Sequence, residues 1–309
     1  MDRLVSLALF VMLCFFSTSF SANTERLMDN VVVLRVRHID GSKVPVSISC
    51  GETSDDQLVT WRKNGVPQPE LQGNHIQVMV QEWDGGNYTC HHGPGGPQLN
   101  HTLLMVQLEP DNRTVILEHR GPEKDFIHCS TPNYRGSFHC SWSRTKHRLD
   151  AAVLLVKGHR NQQTVSCKVD PSGSGMLCED NNCPYKEEQH RISLTLYMGS
   201  ASRLEAYTKT FYLRDIVAPG RLPNLELTEN VFSWDYPETW EKPCSYFSLL
   251  FQVKAVRNGE ACNSQLQLLE NTTSQTEYRV DIRAKRYVFC VRARDKHTGG
   301  PWSHWSHYR

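Results

Sequence analysis

Tyr287-Val288-Phe289-Cys290-Val291-Arg292-Ala293-Arg294, followed after a short turn by Gly299-Gly300-Pro301-Trp302-Ser303-His304-Trp305-Ser306, decides how the chain folds. The first run reads as a strand, and side chains two apart on a strand share a face, so Arg292 and Arg294 project together. Asp295 starts the turn after it. Trp302 and Trp305 lie three apart on what reads as an irregular neighbouring strand, where their indoles can interleave with the two guanidinium groups. Each such contact contributes roughly 0.5–2 kcal/mol. The arrangement of Trp302, Ser303, Trp305 and Ser306 with the arginines is therefore read as a staple for the last strand, not as a ligand site. Trp302-x-x-Trp305 is also an acceptor pattern for a C-linked mannose.

Working backwards, a third module occupies roughly residues 219–309. Pro219-Gly220-Arg221-Leu222-Pro223 is an extended, stiff linker because proline fixes its backbone. Phe232-Ser233-Trp234 and Tyr246 to Val253 read as strands. The module holds Cys244, Cys262 and Cys290, which allow three pairings. Cys262 with Cys290 is the expected one, leaving Cys244 unpaired, capped or intermolecular.

A second module spans roughly 109–218. Phe126 to Cys129 and Phe138 to Trp142 read as two strands around the turn Pro132-Asn133-Tyr134-Arg135-Gly136. Cys129 and Cys140 then form a short cross-strand staple, with Trp142 on the same face as Cys140 and able to cover it. Cys167 and Cys178 flank the loop Asp170 to Gly175 and are expected to pair. Cys183, in the polar stretch Asn181-Asn182-Cys183-Pro184, is left over, unless a third pairing inside the module takes it.

The first module covers roughly 23–108. Cys50 closes an alternating run from Val44, Trp61 follows, and then comes Asp84-Gly85-Gly86-Asn87-Tyr88-Thr89-Cys90. Cys, Trp and Asp-x-Gly-x-Tyr-x-Cys in this order are the immunoglobulin signature: a disulfide joins two sheets and the Trp packs on it. The Cys50–Cys90 loop is short, so a trimmed set of strands is expected. Closing it stabilises by about 4 kcal/mol on a chain-entropy account. His91 and His92 sit in the following turn without a third metal ligand in view, and read as a solvated loop. Short alternating runs punctuated by Gly, Pro, Asn and Asp recur throughout, which makes the chain all-β, a series of sandwiches.

Composition agrees with export. The chain has 309 residues, 11 of them Cys, and a formal charge of +1. Residues 1–22 carry Arg3, an apolar run from Leu4 to Phe16 and then small residues, the pattern of a cleaved secretory signal. Cys14 departs with it, and the remaining cysteines default to disulfides in an oxidising compartment. No second apolar run is long enough to cross a bilayer, so no membrane insertion is expected and the chain reads as secreted. Asn87, Asn100, Asn112 and Asn271 head N-glycosylation sequons, with Asn87 crowded by the nearby strand turn. The near-neutral charge excludes a nucleic-acid binder that works by phosphate neutralisation. No cofactor or metal is implied, and the absence of local nucleophile or metalloprotease motifs argues against an enzyme.

Cys140-x-Trp142 with the Cys129 partner, followed by Trp302-Ser-x-Trp305-Ser, resembles the class I cytokine receptor family. An immunoglobulin-like domain in front and no membrane anchor narrow the resemblance to the soluble, receptor-like subunits of heterodimeric helical cytokines. Cys178-x4-Cys183-Pro184, Tyr212 to Ile216, Asp235 to Trp240 and Ser245 to Leu249 agree with it as well. The resemblance implies one immunoglobulin-like domain followed by two fibronectin type III-like sandwiches. It implies pairing with a four-helix-bundle alpha chain at the bend between modules two and three, and signalling through cell-surface class I receptor chains. The family's docking pocket carries over to Tyr134, Tyr246 and Asp295, on loops that an elbow would expose. An acidic group walled by two phenols suits a partner's Arg, through bidentate pairing and stacking. Cys183 matches the family position that forms the interchain disulfide. The alternative is a soluble receptor alpha chain or decoy that binds a helical cytokine reversibly. The basic clusters Arg144-Thr-Lys146-His147-Arg148 and Arg283-Ala-Lys285-Arg286 are candidate sites for sulfated glycans, if they converge in space.

Overall fold

Alternation between apolar and polar side chains builds the first sandwich. Its strands are β1 (Asn23–Met28), β2 (Val31–Val36), β3 (Lys43–Ser49), β4 (Val59–Lys63), β5 (Val66–Gln72), β6 (His75–Gln81), β7 (Gly86–His92) and β8 (Gln98–Leu108). The computed structural model describes residues 23–37, 41, 43–51, 58–108, 114–121, 124–282 and 286–308, so the secretory signal, Asn112, Arg283 and Lys285 lie outside the described residues. On β6, Ile76, Val78 and Val80 point inward while the residues between them face solvent. They pair in register with Ile48, Val46 and Val44 of β3. Slipping this register by one residue would turn every one of these side chains out to water. The facing sheet runs β5-β4-β7-β8, with β2 parallel to β8 and β1 antiparallel to β2. Cys50, just past β3, is bonded to Cys90 on β7, so the disulfide ties the two layers together. Trp61 is buried in the same core and its Nε1 donates to Gly73 O at 2.9 Å.

The chain divides into two compact units after Asp111, and the second unit holds two further sandwiches. In the first of these, β9 (His128–Ser130), β10 (Ser137–Ser141), β13 (Ser166–Val169) and β14 (Gly175–Glu179) form one sheet, ordered β13-β14-β10-β9. The strands β11 (Ala152–Arg160), β12 (Gln163–Thr164), β15 (Ile192–Ser200) and β16 (Arg203–Phe211) form the other, ordered β12-β11-β15-β16. Cys129 stands directly opposite Cys140, and Cys167 opposite Cys178; each pair is disulfide-bonded across neighbouring strands. Trp142 is buried beside them.

A short helix, α1 (Leu213–Ile216), leads through the prolines into the last sandwich. Its layers are β17 (Glu226–Thr228), β18 (Val231–Ser233) and β21 (Glu277–Arg279) against β19 (Leu249–Arg257), β20 (Gln267–Thr273), β22 (Tyr287–Asp295) and β23 (Ser306–Tyr308). The fold is thus all-β, an immunoglobulin-like domain followed by two fibronectin type III-like sandwiches. Cys262 pairs with Cys290, and Cys183 and Cys244 are the unpaired cysteines among the described residues.

The two C-terminal sandwiches share one continuous hydrophobic cluster. Tyr134 from one meets Trp240 and Phe247 from the other. The joint is also hydrogen-bonded. Asn133 Nδ2 donates to Thr239 O at 3.2 Å and Arg135 Nε to Glu241 Oε1 at 2.7 Å across it, while Thr131 N to Ile216 O, Ala218 N to Thr131 O and Ser306 Oγ to Leu222 O tie the connecting segment to each sandwich. Apolar burial and paired backbone groups together make this joint a packed elbow.

Candidate functional site

The elbow cavity is built on a tight turn. Gly136 adopts φ +97°, a conformation glycine reaches at no steric cost, and a Cβ there would fall 2.0 Å from Asp180 O. The turn drives Tyr134 into the joint, where its ring centroid lies 5.9 Å from those of both Trp240 and Phe247. Its hydroxyl donates to Asp295 Oδ2 at 3.1 Å and lies 3.3 Å from Thr298 Oγ1. Burial, with the Asp295 charge and hydrogen bond beside it, pushes the Tyr134 phenol well above its ordinary pKa, so it stays protonated as a donor. The other carboxylate oxygen, Asp295 Oδ1, accepts the backbone N–H groups of His297 and Thr298, both at 2.7 Å.

These groups form the floor of a cavity of about 600 Å³ between the two sandwiches. Tyr246 stands at the rim, 55% exposed, its ring 4.8 Å from Phe247. Lys186, Glu187, Glu188, Arg214 and His297 contribute charged and polar groups to the cavity wall. Tyr134, Tyr246 and Asp295 are thus brought together, with one correction to their expected exposure. Tyr134 and Asp295 are 8% and 3% exposed, because the shared core closes over the turn from below. Of the three, only Tyr246 is open to solvent. Phe247, Trp240 and Glu188, which sequence reasoning missed, supply the packing and much of the acidity. The apolar Phe247 beside Tyr246 was the one local signal for them.

Cys183 is exposed, and its neighbours Asn182 and Pro184 line the cavity. Two residues on, the Tyr185 ring lies 5.7 Å from Tyr246 and its hydroxyl donates to Lys242 O at 2.8 Å. Cys183, though not itself lining the cavity, therefore stands beside its lip. Cys244, half-buried, precedes Ser245 and Tyr246 on the opposite lip.

The C-terminal staple interleaves as an alternating stack. Arg292 Cζ lies 4.3 Å from the Trp305 ring and 5.0 Å from Trp302, and Arg294 Cζ lies 4.5 Å from Trp302. Desolvation lowers the Arg292 pKa, with Glu270 opposing that shift and Arg294 adding to it. Arg292 Nε donates to Gln252 Oε1 at 2.6 Å. Ser303 N donates to Ala293 O at 2.7 Å, Ser303 Oγ accepts from Ala293 N at 3.0 Å, and Ser306 extends the sheet opposite Val291.

Three smaller expectations change. His91 is buried, with Nδ1 3.1 Å from Gly96 O, so the turn packs on it and leaves only His92 exposed. Arg144 binds the carbonyl oxygens of Ala151 and Gly173, at 2.7 and 2.8 Å, and is withdrawn from its basic cluster. Asn87 is exposed, not crowded, because β7 turns it outward. Asn100 is half-buried with Nδ2 donating to Cys50 O at 3.0 Å, while Asn271 is exposed with Nδ2 3.1 Å from the Tyr278 hydroxyl. Among the described residues no group of three His, Cys, Asp or Glu could hold a metal ion, and no helix is long and apolar enough to cross a membrane.

Two disulfide-stapled sandwiches joined at an elbow, the second closed by an arginine–tryptophan stack, are the arrangement that the resemblance to class I cytokine receptors implies. Residues 124–200 match the family model described as the cytokine interleukin-12p40 C-terminus. The chain is similar to interleukin-12 subunit beta of Papio anubis and of Homo sapiens, each 29% identical over 319 residues and covering 95% of both chains. It is 28% identical to that of Felis catus over 307 residues, 91% of each chain. The chain is thus a secreted cytokine subunit and not an enzyme, similar to interleukin-12 beta subunits along nearly its whole length.

Proposed function

We propose that the chain works as three modules, 23–108, 109–218 and 219–309, of which the last two grip a four-helix-bundle alpha chain of the interleukin-12 alpha or interleukin-23 alpha type. The secreted heterodimer then engages cell-surface class I cytokine receptor chains. The observation that carries this reading is the elbow cavity with Asp295 held in its floor by Tyr134. A carboxylate offers about four acceptor positions, and three are taken here by fixed donors. A guanidinium from the partner can take what remains while stacking on Tyr246. In a desolvated cavity such charge-assisted pairing is about twice as strong as a neutral hydrogen bond.

Cys183 beside the lip is the proposed tether. Its thiol and a partner thiol become one disulfide; two electrons and two protons pass to a low-molecular-weight disulfide such as glutathione disulfide, which leaves as two thiols. Asn87 and Asn271 are the proposed glycan acceptors among the described sequons.

Co-expression with a helical alpha chain, followed by non-reducing electrophoresis, tests the tether. A covalent heterodimer that disappears on Cys183→Ser supports it, while an unchanged covalent band in that variant refutes it.

A further inference from the structure

Arg160, the last residue of β11, reaches the Cys183 segment at three points. Its Nη2 lies 2.9 Å from Asp180 Oδ2 and 2.9 Å from Glu188 Oε1, and Nη1 lies 3.3 Å from Asn182 Oδ1. The cluster is shielded from water: the Arg160 side chain is 13% exposed, and those of Asp180 and Glu188 are 2% and 6% exposed. The partners then pass the constraint outward. Asn182 Nδ2 donates to Tyr134 O at 2.7 Å, and Glu188 accepts the N–H groups of Leu213 and Arg214 at 2.7 and 3.0 Å. One guanidinium thus pins both ends of the segment 180–188 to the elbow, with the exposed Cys183 between the pins. The planar fork donates to Asn182 and Glu188 and pairs its charge with Asp180; a lysine ammonium is a point charge on a flexible stem and cannot hold the same geometry.

We propose that Arg160 is the positioning residue for covalent capture, holding the Cys183 thiol in register with a thiol of the helical partner seated in the cavity. The inference rests on the reading of Cys183 as the tether. Disulfide formation needs both sulfurs within a narrow range of distance and angle. A loosened segment therefore lowers covalent trapping, while the cavity floor of Tyr134 and Asp295, which lies outside the segment, keeps its place for docking.

The test uses the full chain co-expressed with the alpha chain, comparing wild type, Arg160→Lys, Asp180→Asn and Cys183→Ser. Two quantities are read: the alkylated, non-reduced covalent fraction, and the total heterodimer by size exclusion. The proposal predicts that Arg160→Lys and Asp180→Asn each lower the covalent fraction by about threefold or more, as misplacing reacting atoms does. Total pairing stays near wild type. The Cys183 thiol of the isolated variants keeps its reactivity toward a small aromatic disulfide within about twofold, because its exposure does not change. A wild-type covalent fraction in both variants overturns the proposal, as does a loss of total pairing in step with the covalent band. Failure of both variants to be secreted assigns Arg160 to folding and also overturns it. A covalent band that survives Cys183→Ser defeats the tether reading itself, so the two failures are distinguishable.

Discussion

Tyr134 and Asp295 lie 161 residues apart in the chain and share a hydrogen bond of 3.1 Å in the floor of the elbow. One residue comes from the turn before β10 and the other from the end of β22, so the bond exists only when both sandwiches are folded and docked. This couples the cavity's chemistry to the packing of Trp240 and Phe247 around it. The cavity is consequently a property of the joint and not of either domain alone.

The turn that carries Tyr134 tolerates no side chain at its last position. Gly136→Ala places a methyl into Asp180 O and strains a positive φ, so we expect a loss of at least about 2 kcal/mol. Urea unfolding of the secreted chain measures it; a change below about 0.5 kcal/mol, the usual range for an innocuous surface substitution, contradicts it.

The arginine stack has a ranked prediction. Arg292 sits between two indoles and Arg294 touches one, so Arg292→Ala destabilises by about 1–4 kcal/mol and Arg294→Ala by about half that. Thermal unfolding of both variants reads the order, and an equal or reversed order rejects the stacked arrangement.

Much of this was legible in the sequence. Cysteines and tryptophans fix short-range patterns, so the Cys50, Trp61, Cys90 core and the Arg–Trp stack followed from spacing alone. The Cys129–Cys140 staple was equally local, an alternating pair of strands around one turn. Burial at the elbow was not legible, because whether Tyr134 is a rim or a core residue depends on Trp240 and Phe247, more than a hundred residues away. Glu205 escaped notice for the same reason. It is buried, accepts the backbone N–H groups of Val115 and Ile116 and the hydroxyl of Tyr207, and satisfies an otherwise unpaired stretch that enters the second sandwich. Arg160 looked like any strand-end cation until its three partners were brought to it.

Alkaline pH probes that buried cluster. Burial, and then the Glu205 hydrogen bond and charge, raise the Tyr207 phenol above its ordinary value of 10.0. Above that pH the unfolded chain has lost the proton while the folded chain keeps it, so stability present at neutral pH declines as pH rises beyond about 10. Denaturation midpoints across this range should fall less steeply in Tyr207→Phe than in wild type. Parallel slopes refute the assignment.

Glycan occupancy follows from the side-chain amides. Asn87 and Asn271 are exposed and should be modified, whereas Asn100 is committed to Cys50 O and should be largely bare. Glycopeptide mass spectrometry of secreted protein measures occupancy. Full occupancy at Asn100 contradicts its placement.

The central claim is that a carboxylate in the elbow floor grips a cationic side chain of a helical partner. Its most direct measurement is the dissociation constant of the non-covalent pair, made in a Cys183→Ser background, with Asp295 and with Asp295→Asn. The substitution keeps an Oδ1 acceptor for His297 and Thr298 but removes the charge. With the intrachain disulfides intact, the account predicts weakening of about tenfold or more, the loss of one buried charge-assisted contact. An unchanged dissociation constant would contradict it.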